Sequence, residues 1–455
     1  MVFSSIEFLF VFLPVVLLFY YILPGKLKNI FLLIANLVFY GYGEPFYILL
    51  MLGSIIVNFF AGKIIQKARH QRLWLAFFMT VNMLALGFFK YTPFVFDTLR
   101  NVFGLSFLPS PEIALPIGIS FYTFQASSYL VDVYRKDCKA AKSIIDFATY
   151  ISLFPQLIAG PIVRYTDVEK QLVGRTHSVE QFSKGVKIFV IGLSKKVLLA
   201  NKLGALWEIT SKNPQTAGTV GLWLGAIAYT LQIYFDFSGY SDMATGLGKM
   251  LGFDFCINFN YPYIAKSVTD FWRRWHISLS TWFRDYVYIP LGGNRVKRAR
   301  FCFNLLLVWS LTGLWHGAGW NFVVWGLYYG VLLLGEKLIW GNWLNKKNIF
   351  LKHIYTLTIV MLGWIFFAST SFGASAKYIK LMFMPADTPL YLYSWTTLIV
   401  IGILSSLPLG KNIYERLKNK KYTYLLETVG VLLLMVLCTA ALVSDSYNPF
   451  LYFRF

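Results

Sequence analysis

The sequence predicts an all-α, polytopic integral membrane protein, and three observations carry that expectation. The 455 residues are 57% hydrophobic and only 14% charged, too little charge to cover the surface of a soluble protein of this size. Mean hydropathy is +0.57. Apolar runs such as "FLFVFLPVVLLFYYIL" and "YLLETVGVLLLMVLCTAALV" suit membrane helices and do not alternate as barrel strands would. Basic residues gather in short stretches between these runs, where the positive-inside rule places them. The net charge of +21 therefore reads as membrane topology, and a nucleic-acid partner is set aside.

Taken in order, Phe8 to Leu23 is the first expected span. It lacks a basic leader and a small-residue cleavage site, so it is expected to stay rather than be removed as a signal. Lys26 and Lys28 follow and place the N-terminus outside. Asn29–Tyr42 and Phe46–Ala61 come next, then a basic stretch with Lys63, Lys67, Arg69 and Arg72. Leu73–Phe89 returns outward. Residues 90–113, with Pro93, Pro109 and Pro111, are expected as a loop, and Pro116 suits the first turn of a helix reaching about Tyr134. After "YRKDCKAAK", the run "YISLFPQLIAGPIVRY" is too broken by Pro155, Gly160 and Pro161 for a simple span and is expected to be re-entrant.

Residues 179–198 read as a basic amphipathic helix with Lys184, Lys187, Lys195 and Lys196. Gly221–Tyr234 spans, and "DFSGYSDMATGLGKMLG" continues it with polar groups and close-packing glycines. Phe301–Leu334 is broken near "WHGAGWN". Three or four further spans follow; the loop "KNIYERLKNKK" is expected in the cytoplasm and "SDSYNPFLYFRF" outside. The expectation is ten to twelve spans, with re-entrant or interfacial helices around a central tunnel. Residues 1–455 are expected to form a single membrane domain, with a catalytic core over 140–335. The four cysteines have no CxxC spacing, and no metal or bound cofactor is expected.

Two stretches carry chemistry. In "SVTDFWRRWHISLSTWFRDYVYIPLGGNR", Ser267 and Asp270 make a capping pair. A helix running on from there sets Phe271, Trp275, Ser278 and Trp282 on one face and Arg273, Ser280 and Arg284 on a second. Trp272, His276, Leu279 and Phe283 form a third. Asp270 and Arg274, four apart, can pair. Such a helix cannot sit bare in lipid, where a central arginine costs roughly 2.5–3.5 kcal/mol on the mildest scale. It either lies at the interface or walls a watery cavity. The second stretch, "SLTGLWHGAGWNFVVWG", holds His316 among Gly313, Gly317 and Gly319, with Trp315 and Trp320 as flat walls. A buried imidazole stays neutral, the form a general base needs. Asp236, in "FDFSGYSDMA", is expected to be a structural partner for an arginine.

These stretches, with "LIAGPIVRY", "NFNYPY" and "NPFLYFRF", resemble the membrane-bound O-acyltransferase family, and most closely its bacterial alginate O-acetyltransferase branch. The family's catalytic histidine falls on His316 and its second polar position on His276. Where many members carry a further histidine, this chain has Tyr328 and Tyr329. The resemblance implies acyl transfer from a cytoplasmic thioester, acetyl-CoA in this branch, through a tunnel in a bacterial inner membrane. It further implies an exported partner protein that completes O-acetylation of a polysaccharide such as alginate.

In that scheme His316 is the base, and His276 orients it or donates to the oxyanion. Arg273 and Arg274 anchor their helix through Asp236 or Asp270, or meet the donor's phosphates; Trp315 and Asn321 are supporting residues. Two alternatives stay open. One is D-alanyl transfer to teichoic acids from a carrier-protein thioester. The other is a transporter or flippase, against which the absence of a visible inverted repeat argues.

Overall fold

A computed structural model describes residues 1–369, 371–420, 422–444 and Phe450. Among them every regular element is helical. Six helices are long and apolar enough to cross a membrane: Ile48–Lys67, Gln71–Phe103, Gly218–Met250, Trp320–Asn345, Ile349–Ala368 and Thr423–Ser444. Leu390–Ser406 and Leu409–Leu417, bent by 54°, add a seventh if they form one broken span. The protein is thus an all-α, multi-pass membrane protein. The larger expected number also counted apolar runs other than these. Several of these form shorter helices, such as the 16-residue Lys28–Gly43. Arg298–His316 carries Arg298, Arg300, Asn304 and His316 within its apolar run. Of the expected external end, only Ser444 and Phe450 lie within the described residues.

The chain divides into two compact units, and the expected core over 140–335 draws on both. The first comprises Met1–Phe189 and Met243–Cys256. Phenylalanine rings knit its interior: Phe3 lies 5.0 Å from Phe8 and 5.7 Å from Phe39, which lies 5.4 Å from Phe154. The expected loop over 90–113 is shorter than its prolines suggest, because the helix runs through Pro93 and stops at Gly104, at φ 69°. One proline removes one N–H and kinks a membrane helix without ending it when neighbouring groups compensate. The helix expected from Pro116 starts instead at Ile119, after Gly118 at φ 77°. "YISLFPQLIAGPIVRY" is broken as expected, and protein groups satisfy its backbone. The Phe154 N–H donates to Asn36 Oδ1 (3.1 Å), and the Tyr150 hydroxyl to the Val163 carbonyl (3.0 Å).

The second unit comprises Val190–Asp242 and Ile257–Phe455. Here Lys195 and Lys196 depart from the exposed basic face expected of them. Lys196 Nζ lies 2.6 Å from Asp236 Oδ1, the two side chains only 2% and 3% exposed, and Lys195 Nζ lies 2.6 Å from Asp242 Oδ2. The close approach depends on Gly239, where a Cβ would come within 2.8 Å of the Gly192 carbonyl.

The break expected near "WHGAGWN" separates Arg298–His316 from Trp320–Gly335. These helices fold back on one another so closely that a Cβ on Gly313 would sit 2.1 Å from the Phe322 carbonyl, and one on Gly326 2.2 Å from that of Trp309. Around this hairpin lies an aromatic core. Trp272 is 4.8 Å from both Trp309 and Tyr329, and Trp275 is 4.8 Å from Trp364.

Candidate active site

The charged stretch begins as its capping pair requires. Ser267 Oγ accepts from the Asp270 N–H at 3.0 Å and opens the helix Val268–Trp272. The continuous helix expected beyond it does not form. The chain turns at His276, in the left-handed region at φ 43° and ψ 55°, and a new helix runs over Ile277–Phe283. For a residue with a Cβ this backbone costs about 1–2 kcal/mol.

Asn258, brought alongside by the preceding extended segment, compensates the break. Its carbonyl accepts from the Ile277 N–H (3.0 Å), and its Oδ1 from the Ser278 N–H (3.2 Å) and Ser278 Oγ (2.9 Å). Its Nδ2 donates to Ser241 Oγ at 2.9 Å. The same Oδ1 lies 3.1 Å from Nδ1 of His276.

His316 is the last residue of its helix, with Gly317 extended behind it. Its ring meets Trp315, Trp325 and Phe367 at 5.1, 5.2 and 5.4 Å. The His276 ring stands edge-on to Phe237 at 4.6 Å and lies 6.0 Å from Trp315. One tryptophan therefore touches both imidazoles.

Both histidines, 1% and 5% exposed, line one cavity of about 610 Å³. Its buried wall also holds Trp272, while Arg273, Arg284, Asn294 and Lys337 form an exposed, basic wall. Lys337 Nζ donates to Asn294 Oδ1 at 2.8 Å. Along the chain His276 falls outside the helices that are long and apolar enough to cross a membrane. Burial, and after it the neighbouring His316, holds its imidazole well below the ordinary histidine value, so it stays neutral.

The other expected site residues scatter. Arg273 reaches the cavity. Arg274 pairs with Asp270 as its spacing predicts, Nε to Oδ1 at 2.9 Å, and is not among the lining residues. Asp236 pairs with Lys196, Oδ1 to Nζ at 2.6 Å. Trp315 stands behind the two imidazoles. The Asn321 amide donates to the Ser369 carbonyl at 3.1 Å, a structural bond away from the cavity lining. Tyr328 and Tyr329 turn to backbone carbonyls, those of Ile359 (2.9 Å) and Val360 (3.5 Å).

Sequence reasoning missed Asn258 and Glu336. The buried Glu336 carboxylate lines the cavity and accepts from the Val268 N–H (2.7 Å), the Thr269 N–H (2.8 Å) and Thr269 Oγ1 (2.6 Å). A signal for it existed: it is the one acid between Phe301 and Leu344, and a lone acid in an apolar run marks a buried partner.

The comparisons with known proteins agree with this architecture. The profile of MBOAT, the membrane-bound O-acyltransferase family, matches residues 139–373. The chain is 45% identical to the "Probable alginate O-acetylase AlgI" of Pseudomonas aeruginosa, over 84% of this chain and 75% of that one. It is 38% identical to the protein of that name from Azotobacter vinelandii, over the full length of both. To the peptidoglycan O-acetyltransferase of Helicobacter pylori it is 35% identical, over 84% of this chain and 79% of that one. The family match across half of the chain and the length of these similarities lead to one conclusion: the chain belongs to the membrane-bound O-acyltransferase family and is an O-acyltransferase.

Proposed function

We propose that the protein takes acetyl groups from a cytoplasmic thioester, acetyl-CoA, and carries them across the bacterial inner membrane for O-acetylation of an exported polysaccharide. The observation that carries this reading is the cavity, lined by two buried imidazoles and by exposed arginine and lysine. Asn294 on the exposed wall directly precedes a basic stretch, Arg295 and Lys297 before the helix and Arg298 and Arg300 in its first turn, which the positive-inside rule puts in the cytoplasm. A basic mouth there attracts an anionic, phosphate-bearing donor.

The chemistry follows from the residues. The thioester already carries an activated acyl group, so the barrier lies in deprotonating the accepting hydroxyl and stabilising the oxyanion. His316 accepts the hydroxyl proton as the oxygen attacks the carbonyl carbon. As the C–S bond breaks, that proton passes to the leaving thiolate. A placed general base contributes about 10²–10⁴-fold, and the aromatic walls exclude water that would hydrolyse the thioester.

Relatives whose names specify alginate and peptidoglycan support a polysaccharide as final acceptor. An exported partner protein would complete the transfer, and the N-terminus would lie outside. The test is thioester cleavage by the purified protein in liposomes, with acetyl-CoA outside and a soluble glycan with partner inside. The expected result is acetylated glycan, lost in H316A. Full acetylation by H316A, or none from acetyl-CoA with the wild type, would overturn the reading.

A further inference from the structure

We infer that Asn258 is a positioning residue that locks neutral His276 into the tautomer with its proton on Nδ1, making Nε2 a hydrogen-bond acceptor. The neighbours of the amide fix which of its ends faces the ring. The Ser278 backbone N–H, which can only donate, points at Oδ1 at 3.2 Å. At the other end Nδ2 donates to Ser241 Oγ at 2.9 Å. A flipped amide would set an NH₂ against the Ser278 N–H, so the atom beside the imidazole is the oxygen. An oxygen 3.1 Å from His276 Nδ1 is favourable only if that nitrogen carries the hydrogen; two bare acceptors at that distance repel. Ser278 Oγ lies 2.9 Å from the same oxygen and 3.5 Å from Nδ1, so its hydrogen goes to the nearer acceptor, the amide oxygen, and Nδ1 keeps its own.

Burial keeps the ring neutral, so the single proton is on Nδ1 and the lone pair on Nε2. This inference rests on the acyl-transfer reading and alters one role within it. A neutral His276 accepts through Nε2, from the attacking hydroxyl or from an N–H of His316, and the oxyanion donor is a different group of the cavity wall. The device is economical in sequence terms. The amide that satisfies the backbone at the helix break also sets the ring, so the left-handed turn and the tautomer are fixed together.

The test is a spectroscopic one on the full chain in lipid bilayers, with histidine labelled with ¹⁵N and the His276 signals assigned by their loss in H276Q. Near neutral pH the expected spectrum shows Nδ1 protonated and Nε2 bare. N258A should move part of the population to the Nε2–H form, whereas N258D should retain Nδ1–H. The carboxylate of N258D stabilises the charged ring, so the acid limb of its kcat profile should move to higher pH. An Nε2–H or doubly protonated ring in the wild type at neutral pH would overturn the inference, as would an unchanged tautomer in N258A. If N258A fails to fold, the wild-type spectrum decides alone. Thioester cleavage by H316A on the same preparation reports separately, so a failed reaction scheme and a failed tautomer assignment are distinguishable.

Discussion

Glu336 closes the start of the helix at Val268, with one carboxylate oxygen 2.7 Å from the Val268 N–H. Its other oxygen takes both the backbone N–H and the hydroxyl of Thr269. The acid thus ties the end of the helix that follows "WHGAGWN" to the segment that leads to His276. Hydrogen bonds to a charged group are worth about 1.5–3 kcal/mol each, and a carboxylate also favours a helix N-terminus. E336Q, which sets an NH₂ against one of these donors, is expected to lower thermal stability by about 2 kcal/mol. E336D is expected to recover part of the loss. Tryptophan fluorescence on heating in detergent reads both.

Arg273 and Lys337 stand on the exposed wall of the cavity. If they attract an anionic donor, neutralising either acts on binding rather than on the chemical step. R273Q and K337Q are each expected to raise KM for acetyl-CoA by about 3–10-fold with kcat nearly unchanged, the pattern of lost uniform binding. The effect should shrink as ionic strength rises.

Lys196 and Asp236 form a pair almost wholly removed from solvent. Breaking such a buried ion pair by removing one member costs about 3–5 kcal/mol. K196M and D236L are each expected to reduce folded yield sharply, and the double variant is expected to recover most of it, because an apolar pair of similar volume replaces the ionic one. Size-exclusion profiles of the three proteins compare them directly.

The hairpin of Arg298–His316 and Trp320–Gly335 leaves no room at Gly313, where an added Cβ meets the Phe322 carbonyl at 2.1 Å. G313A forces the two backbones apart. Overpacking of this kind costs about 1–3 kcal/mol, and it moves the helix that ends at His316. Activity is therefore expected to fall more than stability does. Gly373, with open space around it, is the control: G373A should change neither.

The depressed pKa of His276 also fixes a sign. An unfolded histidine titrates near pH 6.5, and the folded one titrates lower. Below about pH 6.5 the unfolded state therefore binds more protons, and stability falls as the medium becomes more acid. Above that value the contribution is constant. The expected result is a melting temperature that declines from pH 7 to pH 5 more steeply in the wild type than in H276Q. The difference is bounded by one proton, about 1.4 kcal/mol per pH unit.

Much of the architecture was legible because it rests on local chemistry. Apolar runs gave the helical membrane class, "WHGAGWN" gave a break, Ser267 and Asp270 gave a helix start, and Asp270 with Arg274 gave an ion pair. What was hidden depends on partners distant in sequence. The turn at His276 is stable because Asn258, from the "NFNYPY" segment, satisfies Ile277 and Ser278; spacing alone reads those residues as one helix. Lys195 and Lys196 look like surface charge until the helix bearing Asp236 and Asp242 is laid against them. Gln71–Phe103 passed through Pro93 for a similar reason, since a membrane helix can be kinked without being stopped.

The left-handed backbone at His276 sets chemistry against foldability at one position. A sequence optimised only to persist would place glycine there, gaining about 1 kcal/mol from the freedom of a residue with no Cβ. An imidazole in that place trades durability for reactivity. Efforts to make the protein more robust should therefore leave this position alone and look for compensation elsewhere in the bundle.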